Sequence, residues 1–162
     1  MEIGAGVLTT LAATPLSTAM REGAWLYPIV EIAHIAGFAV LVGSVVLFDL
    51  RVLGFARNLP VAELGRHLLR WALASLILVI PAGLLLFSAH PVELADNRVF
   101  QLKLVLIALA GLNALAFHLL PYRSVAGWDR NYAAPPLARF GAVLSILLWL
   151  GVISCGRMLA YV

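Results

Sequence analysis

Residues 28–51 read PIVEIAHIAGFAVLVGSVVLFDLR, and between Glu31 and Asp49 the one titratable side chain is His34. A helix crossing about 30 Å of hydrocarbon needs roughly 17–25 mostly apolar residues, and this window supplies them. Three further windows do the same: WALASLILVIPAGLLLFS from Trp71 to Ser88, LVLIALAGLNALAFHLL after Lys103, and FGAVLSILLWLGVISCG between Arg139 and Arg157. Their Leu, Ala and Gly content favours helix, and nothing alternates with the period of a membrane β-barrel. The expected fold is all-α, an integral membrane bundle of four helices over residues 24–162, with spans near 24–48, 68–88, 99–120 and 138–158. Pro81 lies inside the second span, where it should kink the helix or weaken its hydrogen-bond ladder.

The rest of the composition agrees. Of the 162 residues, 63% are hydrophobic and only 12% are charged, whereas soluble domains carry about 25% charged residues. A mean hydropathy of +1.01 cannot be hidden inside so small a globule. A soluble enzyme, a disordered chain and a disulfide scaffold are all excluded. The single cysteine, Cys155, allows no internal disulfide and no Cys-based zinc site. Although the isoelectric point is about 9.5, the Lys and Arg residues are scattered singly, so no nucleic-acid partner is implied.

The first stretch, MEIGAGVLTTLAATPLSTAM, lacks the basic start and strong apolar run of a secretory signal. Residues 1–23 are better read as an interfacial segment with a short helix capped by Thr14 and opened by Pro15. Arg51, Arg57, Arg66 and Arg70 flank the first connection, and Arg123, Arg130 and Arg139 the third. By the positive-inside rule these loops are cytoplasmic and both termini are outside. WDRNYAAPP, residues 128–136, reads as a loop through its Pro pair, with Trp128 and Tyr132 suited to the membrane interface.

Polar residues are costly in lipid, so those inside the spans are candidates for function. His34 lies roughly 15 Å below Trp25 on helical spacing. Lys103 lies a turn or two into the third span from the same side, and Arg157 approaches that level from the end of the fourth. These three, with Glu31 one turn from His34, are expected to converge. His67 and His118 sit near the opposite boundary and match in depth; His90, before Pro91, does not match His34. Each has a plain structural alternative. A boundary histidine is simply solvated, His118 suits a helix C-terminus, Lys103 and Arg157 reach toward water, and Asn113 in mid-span is more often a bond between helices. Ala33 and Gly37 on the first span, with Ala110 and Ala114 on the third, predict that these two helices pack closely.

The stretches VEIAHIAGFAVLVGSVVLFDLRVLG and NRVFQLKLVLIALAGLNALAFH resemble an uncharacterised bacterial family of four-helix integral membrane proteins. More distantly they resemble the superfamily of the HemJ-like membrane protoporphyrinogen oxidases and the CopD-like copper-resistance membrane proteins. The distant resemblance rests on His34, on Leu47 to Arg51 as a Leu-Phe-x-Leu-Arg end, and on Lys103. It departs at Asp49 and lacks the aromatic and basic residues that flank the helix end in HemJ-like proteins, so their substrate does not carry over. The resemblance implies haem binding at the His34 and Lys103 positions, in a bacterial inner (cytoplasmic) membrane.

The residues themselves are compatible with b-type haem. A neutral imidazole is a normal axial ligand; Arg98, Lys103 and Arg157 offer cations to propionates. His34 is the leading metal ligand, with His67 and His118 as a candidate bis-His pair for a second haem. Copper fits less well, because soft Cu(I) sites use Cys and Met, and Cys155 with Met158 is the one such pairing in a span. The expected activity is electron transfer or porphyrin-linked oxidoreductase chemistry. The partners would be the lipid bilayer, a quinone or another redox partner, and a second copy of the chain. The alternative is a cofactor-free structural, accessory or transporter-like membrane subunit.

Overall fold

A computed structural model describes residues 2–161; Met1 and Val162, the end residues of the two expected segments, lie outside it. The described residues form α1 (Glu2–Ala12), α2 (Pro15–Glu22), α3 (Leu26–Leu53), α4 (Val61–Ala89), α5 (Pro91–Asp96), α6 (Arg98–Leu119), a 3-10 turn (Pro121–Gly127) and α7 (Pro136–Met158), with no strand among them. Four helices, α3, α4, α6 and α7, are long and apolar enough to cross a membrane, the make-up of a multi-pass membrane protein in contact with lipid. At the end away from the termini, α3 runs to Leu53 and α4 begins at Val61, so both overrun the expected spans. Pro81 sits within α4 without ending it. Local chemistry explains several boundaries. The Thr14 hydroxyl accepts from the Ser17 N–H at 3.3 Å with Pro15 at the first helical position, the expected cap. The Asn97 side-chain oxygen Oδ1 accepts from the Val99 and Phe100 N–H groups to start α6. Gly54 closes α3 at φ 111°, a left-handed cap that costs glycine no Cβ clash.

Packing follows small residues, as expected where no hydrophobic drive acts between helices in lipid. A Cβ on Gly37 of α3 would fall 2.9 Å from the Val79 Cγ2 of α4, and one on Gly65 of α4 would fall 2.9 Å from Phe48 of α3. The opposite flank of α3 rests on α7, whose buried stripe is Ala138, Ala142, Ser145, Leu148, Val152 and Cys155. α6 packs on α7: Leu106 faces Gly151, and the Asn113 Nδ2 donates to the Gly141 carbonyl at 2.9 Å. Asn113 is therefore a bond between helices. The expected pairing of the first and third spans does not occur. α3 and α6 make no backbone packing, Gly37 serves the contact with α4, and Ala114 is exposed. The sequential neighbours α3–α4 and α6–α7 pack together, and the small face of α7 takes the place beside α3. At the loop end α3 and α6 meet through Phe48 and Phe117, edge to face at 5.6 Å.

That end, the loop end, is sealed by a packed cap. Phe48, Val52, Val61, Phe117, Trp128, Ala134, Ala138 and Ala142 form one buried cluster. Trp128 is 4% exposed and donates through Nε1 to Ser124 Oγ, so it belongs to this core and not to the membrane interface; its own loop covers it. Tyr132 is exposed. At the terminal end, α2 docks on the end of α4. Ser17 Oγ donates to the Ser88 carbonyl at 2.7 Å, and Arg21 donates to the Ala89 carbonyl at 3.0 Å and to Ser17 Oγ. These bonds satisfy carbonyls that a helix C-terminus leaves open, with a cation where the helix dipole favours one.

Candidate site around His34

His34 lies on α3 about 12 Å along the axis from Leu26, half-buried, facing α4. Its Nδ1 is 3.0 Å from the Val79 carbonyl of α4. A carbonyl only accepts, so Nδ1 carries the proton, and in the neutral ring the lone pair is on Nε2. Gly83, one turn beyond Val79, makes room for the ring: a Cβ there would fall 3.0 Å from His34 Cε1 and 3.5 Å from Nδ1. On the other side Phe38 stacks on His34 with ring centroids 6.4 Å apart, and Phe38 meets Trp149 of α7 edge-on at 5.8 Å. The imidazole is thus fixed from α3, α4 and, through Phe38, α7.

Lys103 lies about 7–8 Å along α6 from its first residue, part-buried, and is within electrostatic reach of His34. Its Nζ is 3.9 Å from where a Cβ on Gly156 of α7 would lie. His34 and Lys103 therefore come to the same half of the bundle, near the terminal end. Arg157 does not join them. It is exposed, donates to the Tyr161 hydroxyl and lies over that ring at 4.7 Å from its centroid. Arg98 and Glu31 are exposed at helix ends facing the same side.

The remaining histidines go elsewhere. His118 is exposed, with Nδ1 2.9 Å from the Ala114 carbonyl of its own helix and its ring near Tyr122. His67 is exposed on α4, which meets α6 through the stacked rings of Phe87 and Phe100 at 5.5 Å. His90 is exposed beside Glu93, Nδ1 to Oε2 3.3 Å. Among the described residues no three His, Cys, Asp or Glu side chains cluster to hold a metal ion.

An imidazole that donates its Nδ1–H to a backbone carbonyl is oriented as metal-bound histidines are, with Nε2 available. An apolar groove of about 400 Å³ runs elsewhere, between α6 and α7, past Leu109, Asn113, Phe117 and Phe140, and does not include His34. Sequence reasoning passed over two residues. Gly83 has meaning only once α3 and α4 are docked. Asp49 carried a visible signal, a carboxylate inside an apolar span, with no partner legible beside it.

No curated protein and no solved structure matches the chain. A family model does match over residues 23–162, which covers all four long helices, and the chain belongs to that family, a family of unknown function (DUF6644).

Proposed function

We propose that this protein binds b-type haem in the terminal-end half of its bundle, with His34 Nε2 as axial ligand. Lys103 is the second ligand or the partner of a propionate, with Arg98 at the same end; Arg157 would have to leave Tyr161 to join them. The observation that carries this reading is the His34–Val79 bond, which leaves Nε2 as the unengaged nitrogen. The resemblance of the His34, Leu47 to Arg51 and Lys103 positions to the HemJ-like proteins points the same way. Bound haem iron supplies one-electron chemistry, suited to electron transfer or porphyrin-linked oxidation with a quinone or protein partner. We place the chain in the bacterial inner membrane with both termini outside, because the Arg-rich connections lie together at the loop end.

The test is the visible spectrum of protein purified from haem-replete cells. A Soret band is expected, lost or shifted in His34→Ala and kept in His90→Ala. A second reading, a cofactor-free accessory subunit, is favoured by the same contacts, since Val79 and Gly83 hold His34 without any further group. Colourless wild-type protein from such cells decides for it.

A further inference from the structure

Asp49 is 5% exposed, and its Oδ2 has no hydrogen-bond partner in the described structure. Ser145, buried on the α7 stripe that packs against α3, is the neutral polar group across that interface. Counted from Leu26, Asp49 is about 34 Å along α3, where hydrocarbon about 30 Å thick gives way to headgroups. The buried cluster that includes Phe48, Val52, Val61 and Trp128 lies at this end.

An ionised carboxylate enclosed this way is very costly unless something neutralises it. No cation does so. Arg51, two residues on, spends its guanidinium on the Leu59, Arg57 and Asp129 carbonyls. From α7 the facing group is the neutral Ser145; the nearest polar side chain of α6 on that flank, Asn113, is bonded to Gly141. The Asp129 carboxylate is held by the Ala62 N–H, and the Tyr122 hydroxyl lies against Gly65 of α4. Hard metal cations take about six oxygen ligands, and one carboxyl with one hydroxyl falls far short. A proton is the occupant that fits.

We propose that Asp49 and Ser145 form a proton-binding site between α3 and α7, which exchanges with water at the loop end. The proton joins Oδ1, is donated to Ser145 Oγ, and leaves Oδ2 as a carbonyl-type oxygen, the group most tolerable without a partner. Release returns the proton to loop-end water, and no electron moves. The site is separate from that of His34 and stands whether or not haem is bound.

Infrared spectroscopy of the full chain in lipid vesicles tests it. At neutral pH a protonated-carboxyl C=O band is expected, shifting in D2O, fading reversibly on alkalisation and absent from Asp49→Asn. Should the amide variant not fold, Asp49→Glu keeps the acid and moves the band. Ser145→Ala should move the band to higher frequency as its hydrogen bond is lost. Exchanging choline chloride for sodium chloride at equal ionic strength should change nothing. No band at neutral pH, or a band that persists unchanged through alkalisation, overturns the proposal. An unmoved band in Ser145→Ala removes the pairing, and a band lost to sodium assigns the site to a metal cation instead.

Discussion

The His34 ring occupies the space that a side chain on Gly83 would need: a Cβ at residue 83 would fall 3.0 Å from Cε1. Gly83→Ala should therefore push the imidazole off the Val79 carbonyl, at a cost of about 1–3 kcal/mol for overpacking. If His34 ligates iron, haem affinity should fall roughly 10–100-fold, the usual effect of disturbing a ligand's orienting bond. Gly43→Ala is the control, since nothing lies within 4 Å of that position. Haem titration and thermal unfolding in detergent separate the two variants; equal behaviour would show that the cradle does not matter.

The other histidines give a second expectation. His118 is bonded to a carbonyl of its own helix and His67 is exposed on α4, so His67→Ala and His118→Ala should each leave a haem spectrum unchanged. Lys103→Met should alter it, through the ligand field or through propionate binding, while the bundle stays folded, because methionine suits an apolar site. Loss of a distinct haem component in either histidine variant would restore the bis-His geometry.

Topology is checked with thiol chemistry. Cys155 is the one cysteine in the chain and is buried, so Cys155→Ala provides a clean background. In that background, Asn58→Cys in the first connection and Arg130→Cys in the third should react with a membrane-impermeant reagent only after the cells are opened. Labelling of both in intact cells would invert the orientation.

Much of this architecture is legible in the chain, and the physical reason is the bilayer. Lipid demands long uninterrupted apolar windows, so α3, α4, α6 and α7 announce themselves, and Thr14 with Pro15 marks the start of α2 because capping is local. Neighbour choice is not local. Gly37 and Ala110 are small enough for any close approach, and only the docked bundle shows that Gly37 serves α4 while α7 separates α3 from α6. Trp128 was misplaced for the same reason: an aromatic in a polar loop suits a headgroup region or a local core equally well. The site divides along that line, with His34 and Lys103 visible as costly residues, and Gly83 and the Asp49–Ser145 pair visible only across an interface.

The loop end supplies the last prediction. Arg51 is 2% exposed, yet its guanidinium meets no carboxylate at bonding distance; it donates through Nε to the Leu59 carbonyl at 2.7 Å and through Nη2 to the Arg57 and Asp129 carbonyls at 3.1 and 3.0 Å. Asp129 in turn accepts the Val61 N–H on its carbonyl and the Ala62 N–H on Oδ1, at 3.0 and 2.7 Å, which caps α4 from a different loop. One side chain therefore ties both connections to the end of α3. Arg51→Met keeps the length but removes three donations; the Asp129 and Arg57 carbonyls keep the Val61 and Asn131 N–H groups while the Leu59 carbonyl loses its donor, at a cost of about 1–3 kcal/mol. Arg51→Lys keeps the charge but not the fork that reaches three acceptors, so it should recover only part of the loss. Asp129→Asn keeps an acceptor for Ala62 and should be mild, whereas Asp129→Ala should cost about 1 kcal/mol as a lost cap. Limited proteolysis reads this order directly. Cleavage within residues 54–60 and 128–135 should be fastest in Arg51→Met, intermediate in Arg51→Lys and Asp129→Ala, and close to wild type in Asp129→Asn. Wild-type resistance in Arg51→Met would mean that the apolar cap around Trp128 holds the two loops without it.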